Sequence, residues 1–100
     1  MDKVCCSLVC TPEVEEKLLD ALLVRFPADV FTSTRTFGHG TAPGALTAAE
    51  QVMGRSEALL VQIVLSAVEM ETLRALLNRE FAGSGIRYWV TVVAEEGELA

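Results

Sequence analysis

The sequence predicts an α+β domain of order β-α-β-β-α-β, an antiparallel four-stranded sheet with two helices on one face. Three observations predict it. Two stretches carry apolar residues at helical spacing behind N-terminal start signals, four short β-branched runs surround them, and the two middle runs are joined by a long glycine-bearing loop. One hundred residues make one such domain, burying roughly 60 to 70% of the surface the unfolded chain exposes. A second domain does not fit.

"KVCCSLVC", residues 3 to 10, is apolar on both faces and stops at a helix-start signal, as a central strand does. "TPEVEEKLLDALLVRF" follows as a helix. Thr11 is placed as its N-cap and Pro12 suits the first helical position, while Glu13, Glu15 and Glu16 complement the helix dipole. Val14, Leu18 and Leu22, with Leu19, Leu23 and Phe26, make its apolar stripe, and Pro27 ends it.

"DVFTSTRTF", residues 29 to 37, alternates as a second strand, with Phe31, Ser33, Arg35 and Phe37 on one side. "EALLVQIVL", residues 57 to 65, is a third, with Leu59, Val61, Ile63 and Leu65 on one face and Ala58, Leu60, Gln62 and Val64 on the other. Ser66 and Glu69 stand in capping-box spacing before Met70, Leu73, Leu76, Leu77 and Phe81, which defines the second helix. Gly83 and Gly85 stop it. "IRYWVTVV", residues 86 to 93, is the fourth strand, ahead of an acidic tail at 94 to 100. In this strand Tyr88 and Trp89 point to opposite faces, one beneath the helices and one toward a partner.

The result is the split βαβ, or ferredoxin-like, arrangement. Both helices lie on one face of the sheet, yet strands one and three are apolar on both. The naked face is therefore expected to be buried against other subunits.

A net charge of −6 speaks against a protein that tracks nucleic-acid phosphates. The apolar run from Val4 to Cys10 is too short for a signal peptide or a membrane span, so no direct membrane insertion and a cytoplasmic location are expected. Cys5, Cys6 and Cys10 are odd in number and have no CxxC spacing, which suits small buried hydrophobes better than a disulfide or zinc framework; a soft-metal or redox role is the alternative.

The loop between strands two and three, residues 38 to 56, is long for a compact domain. Gly38, Gly40 and Gly44 with Pro43 permit tight turns and close approach of backbone to a ligand, although GHG is no dinucleotide fingerprint. Thr47 and Glu50 again have capping-box spacing, with Gly54 as a stop, so "TAAEQVMG" is expected to form a short helix. Glu50 then either caps a backbone N–H or contacts a ligand. His39, the sole histidine, is either a solvated loop residue or a metal ligand completed from other subunits. Arg35, Arg55 and Arg87 are candidates for an anion site across a subunit interface. No nucleophile and base pair stands out, so an enzyme is not expected.

Taken in order on a βαββαβ chain, "GHG" (38 to 40), "AEQVMGR" (49 to 55) and "YWV" (88 to 90) resemble a PII-like family encoded beside heavy-metal efflux pumps of the resistance-nodulation-division type. The resemblance implies a homotrimer similar to the nitrogen-regulatory PII proteins. It also implies a regulatory function, in which an effector such as an adenine nucleotide or a Cu or Zn ion binds in clefts between subunits, and the 38–56 loop signals to a partner such as a metal-efflux component. By the same resemblance Gly38, His39 and Gly40 stand at the loop's entrance and Glu50, Gln51, Gly54 and Arg55 at its exit. The basic residues and C-terminal segment with which classical PII proteins hold ATP phosphates are not recognisable in this sequence. Two other readings use the same residues: a metal-tolerance protein resembling the CutA family, with His39, Glu50 or the cysteines as ligands, and a small ferredoxin-like enzyme with His39 as acid or base.

Overall fold

The structure, a computed structural model, describes residues 2 to 40 and 55 to 100. Its elements are β1 (Lys3–Cys10), α1 (Pro12–Arg25), β2 (Phe31–Gly38), β3 (Ser56–Ser66), α2 (Ala67–Glu80) and β4 (Arg87–Val92). The strands form one antiparallel sheet in the order β2-β3-β1-β4. This is the expected βαββαβ fold, with β1 and β3 in the centre.

Register decides which side chains share a face. Cys6 opposes Ile63 and Val90, Leu8 opposes Val61 and Tyr88, and Ile63 opposes Phe31, so these residues line one side. The helices cover that side. Cys6, Leu8, Val61, Ile63 and Leu65 from the sheet pack against Leu18, Leu22 and Phe26 of the α1 segment and Met70, Leu73, Leu76, Leu77 and Phe81 of the α2 segment. Burying each leucine or isoleucine stabilises the fold by about 1.5–3 kcal/mol. Leu23, expected in the α1 stripe, is 60% exposed because the buried surface of α1 is narrower than the stripe and centres on Leu18 and Leu22.

The helix ends differ in how they are closed. Ser66 Oγ accepts from the Glu69 N–H at 3.1 Å, and Glu69 Oε1 accepts from the Ser66 N–H at 2.9 Å, completing the expected box on α2. Thr11 occupies the N-cap position of α1 but its hydroxyl makes no cap bond; its carbonyl accepts from the Val14 N–H instead. Gly83 and Gly85 have φ of +80° and +81°, the left-handed turns that follow α2.

Three strands shift their limits for identifiable reasons. Asp29 donates its N–H to the Phe26 carbonyl, which folds residues 27 to 29 into a turn, so β2 starts at Phe31 rather than at 29. β3 gains Ser56, paired with Gly38, and Ser66, paired with Lys3. Ile86 donates to Ser84 Oγ and so stands outside the β4 ladder.

Among the described residues no helix lies on the opposite sheet face. Cys5, Ser7 and Val9 of β1, Leu60, Gln62 and Val64 of β3, and Trp89 of β4 lie there. Ser7 is only 2% exposed, and its Oγ accepts from Gln62 Nε2 at 3.3 Å. All six residues of β4 are exposed. Tyr88, on the helix side, is not buried as expected: β4 is an edge strand that the helices cover only in part, so the residue stays 41% exposed while its hydroxyl meets Arg74 of α2.

Candidate site at the base of the 38–56 loop

The hairpin made by β2 and β3 closes at the Gly38–Ser56 pair, the last rung before the long loop. The rung is tight at Gly38: a Cβ there would stand 3.2 Å from Ser56 Oγ, and the hydroxyl would have to shift by a few tenths of an ångström to admit it. His39 is exposed just past that rung, and Gly40 turns the chain with φ +81°. Glu50, Gln51 and Gly54, and the short helix expected from "TAAEQVMG", lie outside the described residues.

Arg55 brings the returning chain back to the hairpin. Its guanidinium carbon lies 4.0 Å from the centroid of the Phe37 ring, a cation–π pair across the loop's mouth. Phe37 is nevertheless 47% exposed, so part of its ring is open to solvent. Beside it Pro12, Arg35, Thr36, Phe37 and Glu57 line an open cleft of about 470 Å³. His39 is not part of that lining.

Arg35 is held by Glu15 of α1. Arg35 Nη1 donates to Glu15 Oε1 at 2.7 Å and Nη2 to Oε2 at 3.0 Å, a planar two-bond pair that ties β2 to α1. Helical spacing gives no sign of this partner, because Glu15 is equally at home in the first turn for its dipole. Arg87 lies elsewhere. It opposes Val9 on the far edge strand: of the three arginines expected at an anion site across a subunit interface, Arg35 and Arg55 flank Phe37, and Arg87 of the same chain is across the sheet.

The cysteines divide by face. Cys6 and Cys10 are buried under the helices and Cys5 is half-buried on the open face. Burial, then the neighbouring Cys5, pushes the Cys6 thiol up to about 11 against a smaller opposing effect of Arg74. Burial likewise raises Cys10. Both suit the reading of cysteine as a small hydrophobe. Among the described residues no three His, Cys, Asp or Glu side chains gather as metal ligands, and His39 stands apart from the cysteines.

Phe37 and Glu15 are the site residues that spacing alone does not reveal. The alternation of β2 puts Arg35 and Phe37 on one face, but only the β2–β3 register and the seating of α1 bring Arg55 and Glu15 to them.

An open antiparallel sheet of order β2-β3-β1-β4 with both described helices on one side defines a ferredoxin-like fold class, and the fold is similar to that of PII-like proteins. Within that class the chain belongs to the DUF3240 family, described as proteins of unknown function, whose model matches residues 1–100. A crystal structure of a DUF3240 family protein from Shewanella baltica superposes with a TM-score of 0.76 at 16% identity, covering 98% of this chain and 97% of that one. A putative PII-like signalling protein from Thermus thermophilus gives 0.62 at 17% identity, with 93% and 88% covered. Bacillus subtilis GlnK in complex with ATP gives 0.59 at 22% identity, with 93% and 84% covered. These likenesses establish the fold. Comparison with curated proteins finds no match. Among the described residues no helix is long and apolar enough to cross a membrane.

Proposed function

We propose that the chain is a PII-like regulatory protein, a homotrimer that takes a small effector in clefts between subunits and reports it to a partner through the 38–56 loop. One observation carries this reading: Phe37 offers a half-exposed ring, capped by Arg55 and flanked by Arg35, at the mouth of that loop. A flat aromatic face beside guanidinium groups suits a ligand that pairs a planar ring with an anion, and an adenine nucleotide has both parts. The GlnK neighbour is described with ATP, which supports testing that class first.

The open sheet face supports the assembly. Val9, Leu60, Val64 and Trp89 lie together on a face that none of the described helices covers, and association of copies removes them from water. In the trimer, residues of a neighbouring copy complete each cleft. Gly38, His39 and Gly40 at the loop's entrance and Glu50, Gln51, Gly54 and Arg55 at its exit are the effector-binding set, with His39 as the metal ligand if the effector is Cu or Zn. Bound effector favours one loop conformation and the partner, a metal-efflux component in this reading, recognises it. No turnover is involved. The protein works in the cytoplasm.

Isothermal titration of the tag-free protein with ATP, ADP, AMP, Cu(I) and Zn(II), alongside light scattering, tests it. The expected result is saturable binding of one nucleotide, weakened at least tenfold by Phe37→Ala or Arg55→Ala, by a trimer that returns the nucleotide unchanged. Heat of binding from none of the five ligands overturns the sensor reading.

A further inference from the structure

At the end of the sheet opposite the loop, two carboxyl groups meet. Asp29 closes the turn between α1 and β2, and Glu69 lies in the first turn of α2. Glu69 is immobilised by the capping box, its Oε1 accepting from the Ser66 N–H at 2.9 Å. Asp29 is held by its own N–H, which donates to the Phe26 carbonyl at 3.1 Å. Asp29 Oδ2 is fully buried and has no donor among the described residues. Its neighbour within hydrogen-bonding reach is the Glu69 carboxylate, which is itself an acceptor. Two acceptors facing each other in a half-buried place lack one thing, a hydrogen between them.

We propose that Asp29 and Glu69 form a proton-operated clasp, closed by one shared proton in mildly acidic solution and opened by its loss, which fastens the α1–β2 turn to the first turn of α2.

With the proton present, the Asp29 carboxyl donates to Glu69 and the buried oxygen pair is satisfied. Without it, two negative charges face each other and the turn moves off to let water in. The charged groups acting on Asp29 are Glu69 from α2 and Lys3 from β1. Lys3 opposes the effect but does not cancel it, and it also lines a cleft with Glu95 and Glu96 of the tail. The hydrogen bond to Glu69 first, then burial and the Glu69 charge, raise Asp29 to about 6. Glu69 is lowered, chiefly by that same bond and by the Ser66 N–H.

The signs follow from these directions. The folded protein holds the Asp29 proton more tightly than the unfolded chain does, so this contribution is complete below the ordinary aspartate range and is lost as pH rises through about 6. Glu69 contributes in the reverse sense, above the ordinary glutamate range, and loses its contribution as pH falls through its lowered value. The two contributions together are therefore largest around the ordinary aspartate and glutamate range, and the clasp loosens as pH rises from there through about 6. Because Ala67 also donates to the Asp2 carbonyl, opening exposes the place where β1, β2 and α2 all begin.

Carbon-detected NMR titration of the side-chain carboxyls, with amide hydrogen exchange at residues 29, 66 and 69, tests the clasp in the intact protein. Asp29 is expected to titrate with a midpoint near 6, and Glu69→Gln, which supplies a donor of its own, is expected to return that midpoint to the ordinary aspartate range or below. Asp29→Asn replaces the proton by an amide N–H, so position 29 is expected to stay protected from exchange at pH 7.5, where the unaltered protein loses protection relative to pH 5. An Asp29 midpoint near the ordinary aspartate value, or protection at residues 29, 66 and 69 that is the same at both pH values after correction for intrinsic exchange, overturns the proposal. Neither readout depends on oligomeric state or effector.

Discussion

Cys6 and Cys10 show how position sets the chemistry of a side chain. Both sit under the helices, and with its thiol raised to about 11 Cys6 is ionised to roughly one part in three thousand at pH 7.5. The thiolate is the reactive form, so native protein treated with a thiol reagent is expected to leave Cys6 and Cys10 unmodified until denaturant is added, as read by mass spectrometry of the digested protein. Rapid labelling of Cys6 in the folded state would contradict its place in the core. Arg35 illustrates the opposite case. Its two bonds to Glu15 have good geometry but the arginine is 67% exposed, so the pair orients β2 against α1 and adds less than about 1 kcal/mol.

At the scale of elements, the two helices carry the same kind of start signal and use it differently. Ser66→Ala removes a side-chain acceptor that the Glu69 N–H uses, and is expected to cost about 1 kcal/mol in urea unfolding. Thr11→Ala removes no cap bond and is expected to change stability by less than about 0.5 kcal/mol. Equal losses from the two would show that the hydroxyl of Thr11 caps α1 in solution. Both helices begin with a hydroxyl residue, but Thr11 is followed by Val14 at the third position where Ser66 is followed by Glu69, and that is the signal that separates them. The turn after α1 is less readable. Pro27 marks where the helix must end, but that Asp29 turns back onto Phe26 and reaches Glu69 depends on an element about forty residues away.

For the whole molecule the open sheet face is the main consequence of the topology. Two helices lie over one side, and the apolar residues of β1 and β3 on the other side have no described helix over them. Leu60→Glu places a charge in the middle of that face, away from the core, and is expected to yield a folded monomer with a helical circular-dichroism spectrum like that of the unaltered protein. Light scattering distinguishes the outcomes; an unchanged assembly mass would move the subunit interface elsewhere. Melting temperature measured between pH 5 and 7.5 adds a second test at this scale: it should fall as pH rises through about 6 and flatten in Asp29→Asn.

The order of the strands and helices, the faces they bury, the capping box of α2 and the long β2–β3 loop all follow from local sequence. Their signals are periodicity and end chemistry, which act over a few residues; the element order, the capping box and most of the buried positions agree with the fold, while Leu23 and Tyr88 stay exposed. The pairs that make the candidate site and the clasp do not follow. Arg35 with Glu15, Arg55 with Phe37 and Asp29 with Glu69 join residues about 20 to 40 positions apart, and each needs strand register, helix seating and turn closure to be settled together. Local pattern determined what kind of protein this chain builds. Long-range packing decided which charges meet, because a side chain's partner is set by where the whole backbone delivers it, and no short window of sequence contains that information.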